Sequence, residues 1–177
     1  MKQSSKVAIG GIVAALSLVM MISVAIVPFL TYALPAEAGT FIAFIVYEID
    51  KKWAFGVYTA VAVLGMFLVP DKEVAVMYLA FFGYYPVLKS FLESKMRRLP
   101  GWIIKILSFN VTMSVSYFLM IKLMGLTLDE LDKYGLWAVP MLLGAGTLAF
   151  ILYDNALSKI LLLYELRWRK YFKRFFK

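Results

Sequence analysis

Residues 6–30 read KVAIGGIVAALSLVMMISVAIVPFL, and no charged side chain occurs between Lys6 and Glu37. The apolar run from 7 to 30 exceeds the roughly 20 residues that an α-helix needs to cross a hydrocarbon core. Further runs of the same kind follow it, and no convincing small-residue cleavage site does. It therefore reads as a retained membrane span and not as a cleaved signal.

Five more apolar runs follow, at about 32–47, 53–69, 74–91, 102–124 and 136–163. The second is short, with Pro35 near its start and Glu37 inside it, and is marginal for a full crossing. The third stops at Pro70. The fourth contains Gly83 and Pro86, where a kink is expected. The sixth is long enough to cross with a tilt. The expected fold is an all-α polytopic membrane helix bundle of six transmembrane helices. It forms one integral membrane domain over residues 1–177, with a basic and aromatic tail at about 165–177.

Composition agrees. Hydrophobic residues make up 63% of the chain, against roughly 45–50% in an ordinary soluble domain, so the solvent for much of the surface is lipid. Neither cysteine nor histidine is present, which removes thiolate chemistry, the commonest zinc ligand and the commonest general base. The chain lacks a nucleotide-binding Gly-x-x-x-x-Gly-Lys-Ser/Thr loop, a His-Glu-x-x-His helix and a Gly-x-Ser-x-Gly elbow. An enzyme, a cofactor and a metal site are not expected.

The formal net charge of +8 is placed by topology. Lys2, Lys6, Lys51, Lys52, Lys95, Arg97, Arg98 and the tail fall in segments on one side of an even-numbered set of spans. The other side has only Lys72 and Lys133, accompanied by Asp71, Glu73, Asp129, Glu130 and Asp132. The positive-inside rule then puts both termini in the cytoplasm. In the tail, Arg167, Arg169, Lys170, Lys173, Arg174 and Lys177 alternate with Trp168, Tyr171, Phe172, Phe175 and Phe176, a pattern suited to anionic lipid. Nucleic acid is not an expected partner, because no recognised binding module accompanies these residues.

Four groups of residues stand out. Gly10, Gly11, Ala14 and Ala15, extended by Ser17, form small-residue pairs four apart that let another helix approach closely. The approaching helix can belong to this bundle or to a partner. Glu37 is costly inside a span and should face a cavity, a ligand or a hydrogen-bond partner. Asn110, Ser114 and Tyr117 make a polar stripe on the fifth run, and Tyr78, Tyr84 and Tyr85 put hydroxyl-tipped rings on the fourth. Such groups line small-ligand pockets, and equally serve as interhelical hydrogen bonds. Finally, Glu48, Lys89, Lys105, Asp154 and Lys159 lie near inner helix ends. A structural charge network is expected there, with Asp154 paired to Lys105 or Lys89 and Asn155 capping it.

This combination resembles the substrate-binding S components of energy-coupling factor transporters. The segment KVAIGGIVAALS looks like their first helix, which docks a membrane coupling subunit through an Ala-x-x-x-Ala-type face. Gly11 and Ala15, or Gly10 and Ala14, stand at the matching positions, with glycine in place of the first alanine. The resemblance implies capture of a vitamin or other micronutrient at the extracellular face and delivery through the coupling subunit and a pair of separate ATPases. It implies a ligand set at the outer ends drawn from Tyr32, Glu37, Tyr78, Asn110, Ser114, Tyr117, Lys122 and Trp137. No signature for thiamin, riboflavin, biotin or folate is evident, and the absence of histidine argues against nickel and cobalt. The location implied is the cytoplasmic membrane of a bacterium or archaeon. Two other readings stay open: an MreD-like membrane scaffold for cell-wall synthesis partners, and a small proton-coupled carrier using Glu37.

Overall fold

A computed structural model of the chain describes residues 2–124 and 138–169, and among these every long element is a helix. The helices are α1 (Gln3–Ile22), α2 (Ala33–Glu48), α3 (Lys51–Leu68), α4 (Lys72–Met77), α5 (Tyr85–Lys95), α6 (Arg98–Met124) and α7 (Ala138–Leu163). A π turn, Tyr78–Phe82, joins α4 to α5, so that the two form one interrupted helix. Counted this way the described residues make six helices. Five segments are long and apolar enough to cross a membrane: Gln3–Ala25, Lys51–Leu68, Lys72–Lys95, Arg98–Leu119 and Leu143–Arg167.

Local chemistry sets several of the boundaries. The Asp50 carboxylate caps α3 by accepting from the Trp53 amide at 2.7 Å, and Asp71 caps α4 by accepting from the Glu73 amide at 2.9 Å. Both satisfy amide groups that a helix start otherwise leaves bare. At its far end α3 stops because Pro70 drives Val69 into an extended conformation, at φ −76° and ψ 122°.

α2 is the short helix, and it is the central one. Its 16 residues span about 24 Å, less than the hydrocarbon core of roughly 30 Å. It packs on α1, α3, α5, the π turn and α7. Leu34, Ala38, Ile42, Ala43 and Ile45 are buried, and no large apolar side chain of α2 is exposed. The other long helices show the converse pattern. Leu99, Ile103, Leu107, Val111 and Val115 form an exposed stripe along α6, and α1, α3 and α7 carry exposed valine, leucine, isoleucine and phenylalanine as well. A bundle that hides one helix and turns the apolar faces of the others outward is arranged for a lipid surround.

The π turn seats the interrupted helix against α2. The Gly83 amide donates to the Tyr78 carbonyl at 2.9 Å. Pro86 has no N–H, so the carbonyl of Phe82 lacks the donor four residues on that an α-helix would supply. That carbonyl faces Gly39: a Cβ built on Gly39 would lie 2.2 Å from the Phe82 oxygen. Beyond the turn, aromatic rings lock the helices. Phe81 stacks on Tyr85 at 4.8 Å between ring centres and meets Phe109 of α6 edge-on at 5.1 Å. Phe109 in turn stacks on Phe150 of α7 at 4.9 Å.

The Gly39 contact makes a sharp prediction, because the obstacle to a larger residue is backbone and cannot rotate away. Gly39→Ala should lower stability by about 3 kcal/mol or more. Gly56→Ala on α3, where nothing lies within 4 Å, should leave it within about 1 kcal/mol, on the stabilising side. Unfolding midpoints of the purified variants in mild detergent check both.

Candidate functional site

Three charged side chains are buried together where α5, α6 and α7 meet: Lys89 and Lys105 are each 3% exposed and Asp154 is 2% exposed. Asp154 sits well inside α7, in surroundings where a lone carboxylate is expensive. Its Oδ1 atom accepts from Lys89 Nζ at 2.5 Å and from Lys105 Nζ at 3.2 Å. The Tyr85 hydroxyl also donates to that oxygen. One turn past Lys89, the half-exposed Glu93 takes up remaining lysine donors, at 3.0 Å from Lys89 and 2.7 Å from Lys105. The Lys105 ammonium also lies 5.1 Å above the Trp102 ring. Two cations, two anions and a phenol thus balance one another, and the charge of Asp154 is fully engaged.

Glu48, which the sequence groups with these residues, lies in a separate cluster. It pairs with Arg169 at 3.2 Å. Arg169 also pairs with Glu165 at 3.3 Å and lies over the Tyr47 ring at 4.8 Å. Lys159 is exposed. The same end of the bundle holds a Lys6–Asp50 pair at 3.8 Å and a bond from Lys51 to the Ser90 carbonyl at 3.0 Å. We refer to it as the basic end.

The small residues of α1 divide between two faces. Gly10 is buried against α3, where an added Cβ would lie 3.1 Å from Val57 and 3.2 Å from Trp53. Ala14 packs on the core from the same face, and Ser17 is fully buried, donating to the Ala38 carbonyl at 3.2 Å. Gly11 and Ala15 are exposed, and nothing lies within 4 Å of a Cβ added at Gly11. Two pairs with identical spacing therefore have different surroundings.

The residues proposed as a ligand set are spread along the opposite half. Tyr32 is exposed and donates to Glu73 at 3.2 Å, with Tyr117 within electrostatic reach. Glu37 is exposed on α2, and Ser114 is exposed on α6. Lys122 is exposed too, its ammonium 5.5 Å above the Phe118 ring. Tyr78 lies in the core, fully buried. Asn110 joins α6 to α7, donating to the Thr147 hydroxyl at 3.0 Å. Tyr84 meets Thr112 at 3.1 Å. Trp137, the acidic residues Asp129, Glu130 and Asp132, Lys133 and the tail from Lys170 onward lie outside the described residues.

Glu93 escaped the sequence reading. Its signal was available, since Lys89 and Glu93 stand four apart on one helix. A pocket of about 350 Å³ opens beside the cluster at the basic end, between the α5–α6 turn, α6 and α7. Nothing in the sequence marks it as a cavity.

No protein-family model, curated protein or solved structure matches this chain.

Removing the carboxylate at 154 would leave two buried cations sharing the single half-exposed Glu93. Asp154→Ala should cost about 3–5 kcal/mol, whereas Asp154→Leu combined with Lys89→Met should recover most of that loss, because Lys105 keeps Glu93. Thermal unfolding in detergent measures both. A single variant as stable as the parent would mean that Asp154 does not hold the three helices together.

Proposed function

We propose that this chain is a membrane-embedded substrate-binding subunit of the energy-coupling factor type, docking on a coupling subunit through the Gly11–Ala15 face of α1. The observation that carries the reading is the division of α1. One small-residue face is used up inside the bundle, and an equivalent face is left open outside it. In lipid, close approach at small residues is a main source of helix association. A bundle satisfied by Gly10 and Ala14 has no internal use for a second such face.

The rest of the reading follows from this assignment. With α2 as a short, enclosed sixth crossing, both termini lie on the basic end, and the positive-inside rule makes that end cytoplasmic. The ligand would then enter from the other end, where Tyr32 donates to Glu73. The chain would bind a micronutrient and leave nucleotide hydrolysis to separate ATPases.

One observation favours the scaffold reading instead. Tyr78 is in the core and Asn110 is bonded to Thr147, so two members of the expected ligand set already serve the bundle. An MreD-like scaffold needs no outer pocket.

Mass spectrometry of proteins that co-purify from native membranes in mild detergent separates the two. A pair of ATPases with a polytopic coupling subunit supports the transporter; wall-synthesis or cytoskeletal proteins would replace it with the scaffold. Gly11→Leu and Ala15→Leu should each deplete most of the partner while leaving the unfolding midpoint within about 1 kcal/mol of the parent, as expected for surface changes. Gly10→Leu should do the reverse, destabilising the chain by about 1–3 kcal/mol through overpacking. Full partner recovery with Leu at both 11 and 15 would remove the docking assignment.

A further inference from the structure

We propose that the pocket at the basic end binds the phosphate headgroup of an anionic phospholipid. This site does not depend on which proposed function holds.

The pocket has an excess of unspent positive charge. Arg97 and Arg98 line it, and neither has an ion pair among the described residues. Lys105 lines it too, but its ammonium is already engaged by Glu93 and Asp154. The carboxylates in the lining do not cancel this charge. Asp154 is saturated by Tyr85, Lys89 and Lys105, and Glu93 bridges the two lysines. Two guanidinium groups are left over, and guanidinium forks match phosphate oxygens in a bidentate way.

Other features of the lining suit the same ligand. The pocket sits at the first turn of the 27-residue helix α6, where the partial positive charge of the helix start favours an anion. From the facing helix, the exposed Asn155 supplies an amide with no hydrogen-bond partner among the described residues. The volume of about 350 Å³ falls at the lower end of the roughly 300–1,000 Å³ usual for small-molecule sites.

The surroundings choose between a lipid and a free phosphate. The pocket lies at the basic end of a bundle with five segments long and apolar enough to cross a membrane. Trp102 is part of the lining, and aromatic residues are common at a membrane interface. A basic end of such spans sits among the headgroups, and the leaflet facing it is the one rich in anionic lipid.

The test uses full-length protein in mild detergent, with native mass spectrometry during titration of phosphatidylglycerol, phosphatidylcholine or inorganic phosphate. Phosphatidylglycerol should bind with one preferred stoichiometric site, and phosphatidylcholine should bind much more weakly. Arg97→Gln with Arg98→Gln should weaken phosphatidylglycerol binding by roughly thirtyfold, at about one surface-charge contribution per arginine. Lys2→Gln with Lys52→Gln, which removes the same charge from exposed positions that do not line the pocket, should change that preferred site by less than about threefold. Equal loss in both pairs would assign the binding to diffuse charge and overturn the site. So would equal binding of phosphatidylcholine and phosphatidylglycerol. Inorganic phosphate that binds at millimolar concentration and displaces the lipid would make the ligand a free anion.

Discussion

A carboxylate inside an apolar span organises the basic half of this molecule. Asp154 on α7 is stable only where its charge is met, and the donors come from two other helices, Tyr85 and Lys89 on α5 and Lys105 on α6. Burial of an ion costs several kcal/mol, which the pairing offsets only when every donor is in register. A slip of one residue along any of the three helices would leave a buried charge alone. The cluster therefore contributes less to net stability than to the choice of a single packing. Glu93 completes it from the rim, where water or headgroups reach its other face.

The aromatic layer next to the cluster inherits that register. Tyr85 belongs to both, bonding Asp154 through its hydroxyl and stacking on Phe81 through its ring. Phe81 reaches Phe109 and Phe150 only because the π turn rotates the helix between Tyr78 and Phe82. The same turn brings the Phe82 carbonyl against Gly39, which couples α2 to the interrupted helix at a distance that no side chain would allow. Three local departures from an ideal helix (the wide turn, Pro86 without its N–H, and glycine at 39) are thus one arrangement. Each is unfavourable alone, and together they pack a short helix into the centre of the bundle.

How far the sequence could reveal this depended on the type of constraint. Charge burial is steep enough that a pairing of Asp154 with Lys89 or Lys105 could be proposed from position alone, and both lysines turn out to reach it. Glu48 was grouped with them because it shares their depth, yet its partner Arg169 comes from the far end of the chain. Such a contact exists only after folding. The small residues of α1 show the same limit: spacing of four marks both Gly10–Ala14 and Gly11–Ala15, and only tertiary packing tells the inner pair from the outer. The length of α2 suggested a marginal span, and its enclosure was not legible, since being apolar on every side looks alike in lipid and in a core. The stripe of Asn110, Ser114 and Tyr117 shares a helix face by spacing, but α6 has neighbours along only part of that face. Asn110 meets α7 while Ser114 is exposed.

The polar contacts are distributed unevenly, and this bears on any function that requires movement. At the basic end, the Asp154 cluster is joined by the Lys6–Asp50 pair, the bond from Lys51 to α5 and the pairing of Arg169 with Glu48. Every helix except α4 takes part in at least one of these links. Toward the other end, the described cross-links are single neutral or exposed bonds, such as Tyr32 to Glu73 and Asn110 to Thr147. The outer half is nonetheless well packed, with Val24, Val69, Val74 and Tyr78 buried, so its register is set by apolar packing in place of charge. A partner that grips α1 through Gly11 and Ala15 would leave the inner face of that helix, from Gly10 to Ser17, engaged with the bundle.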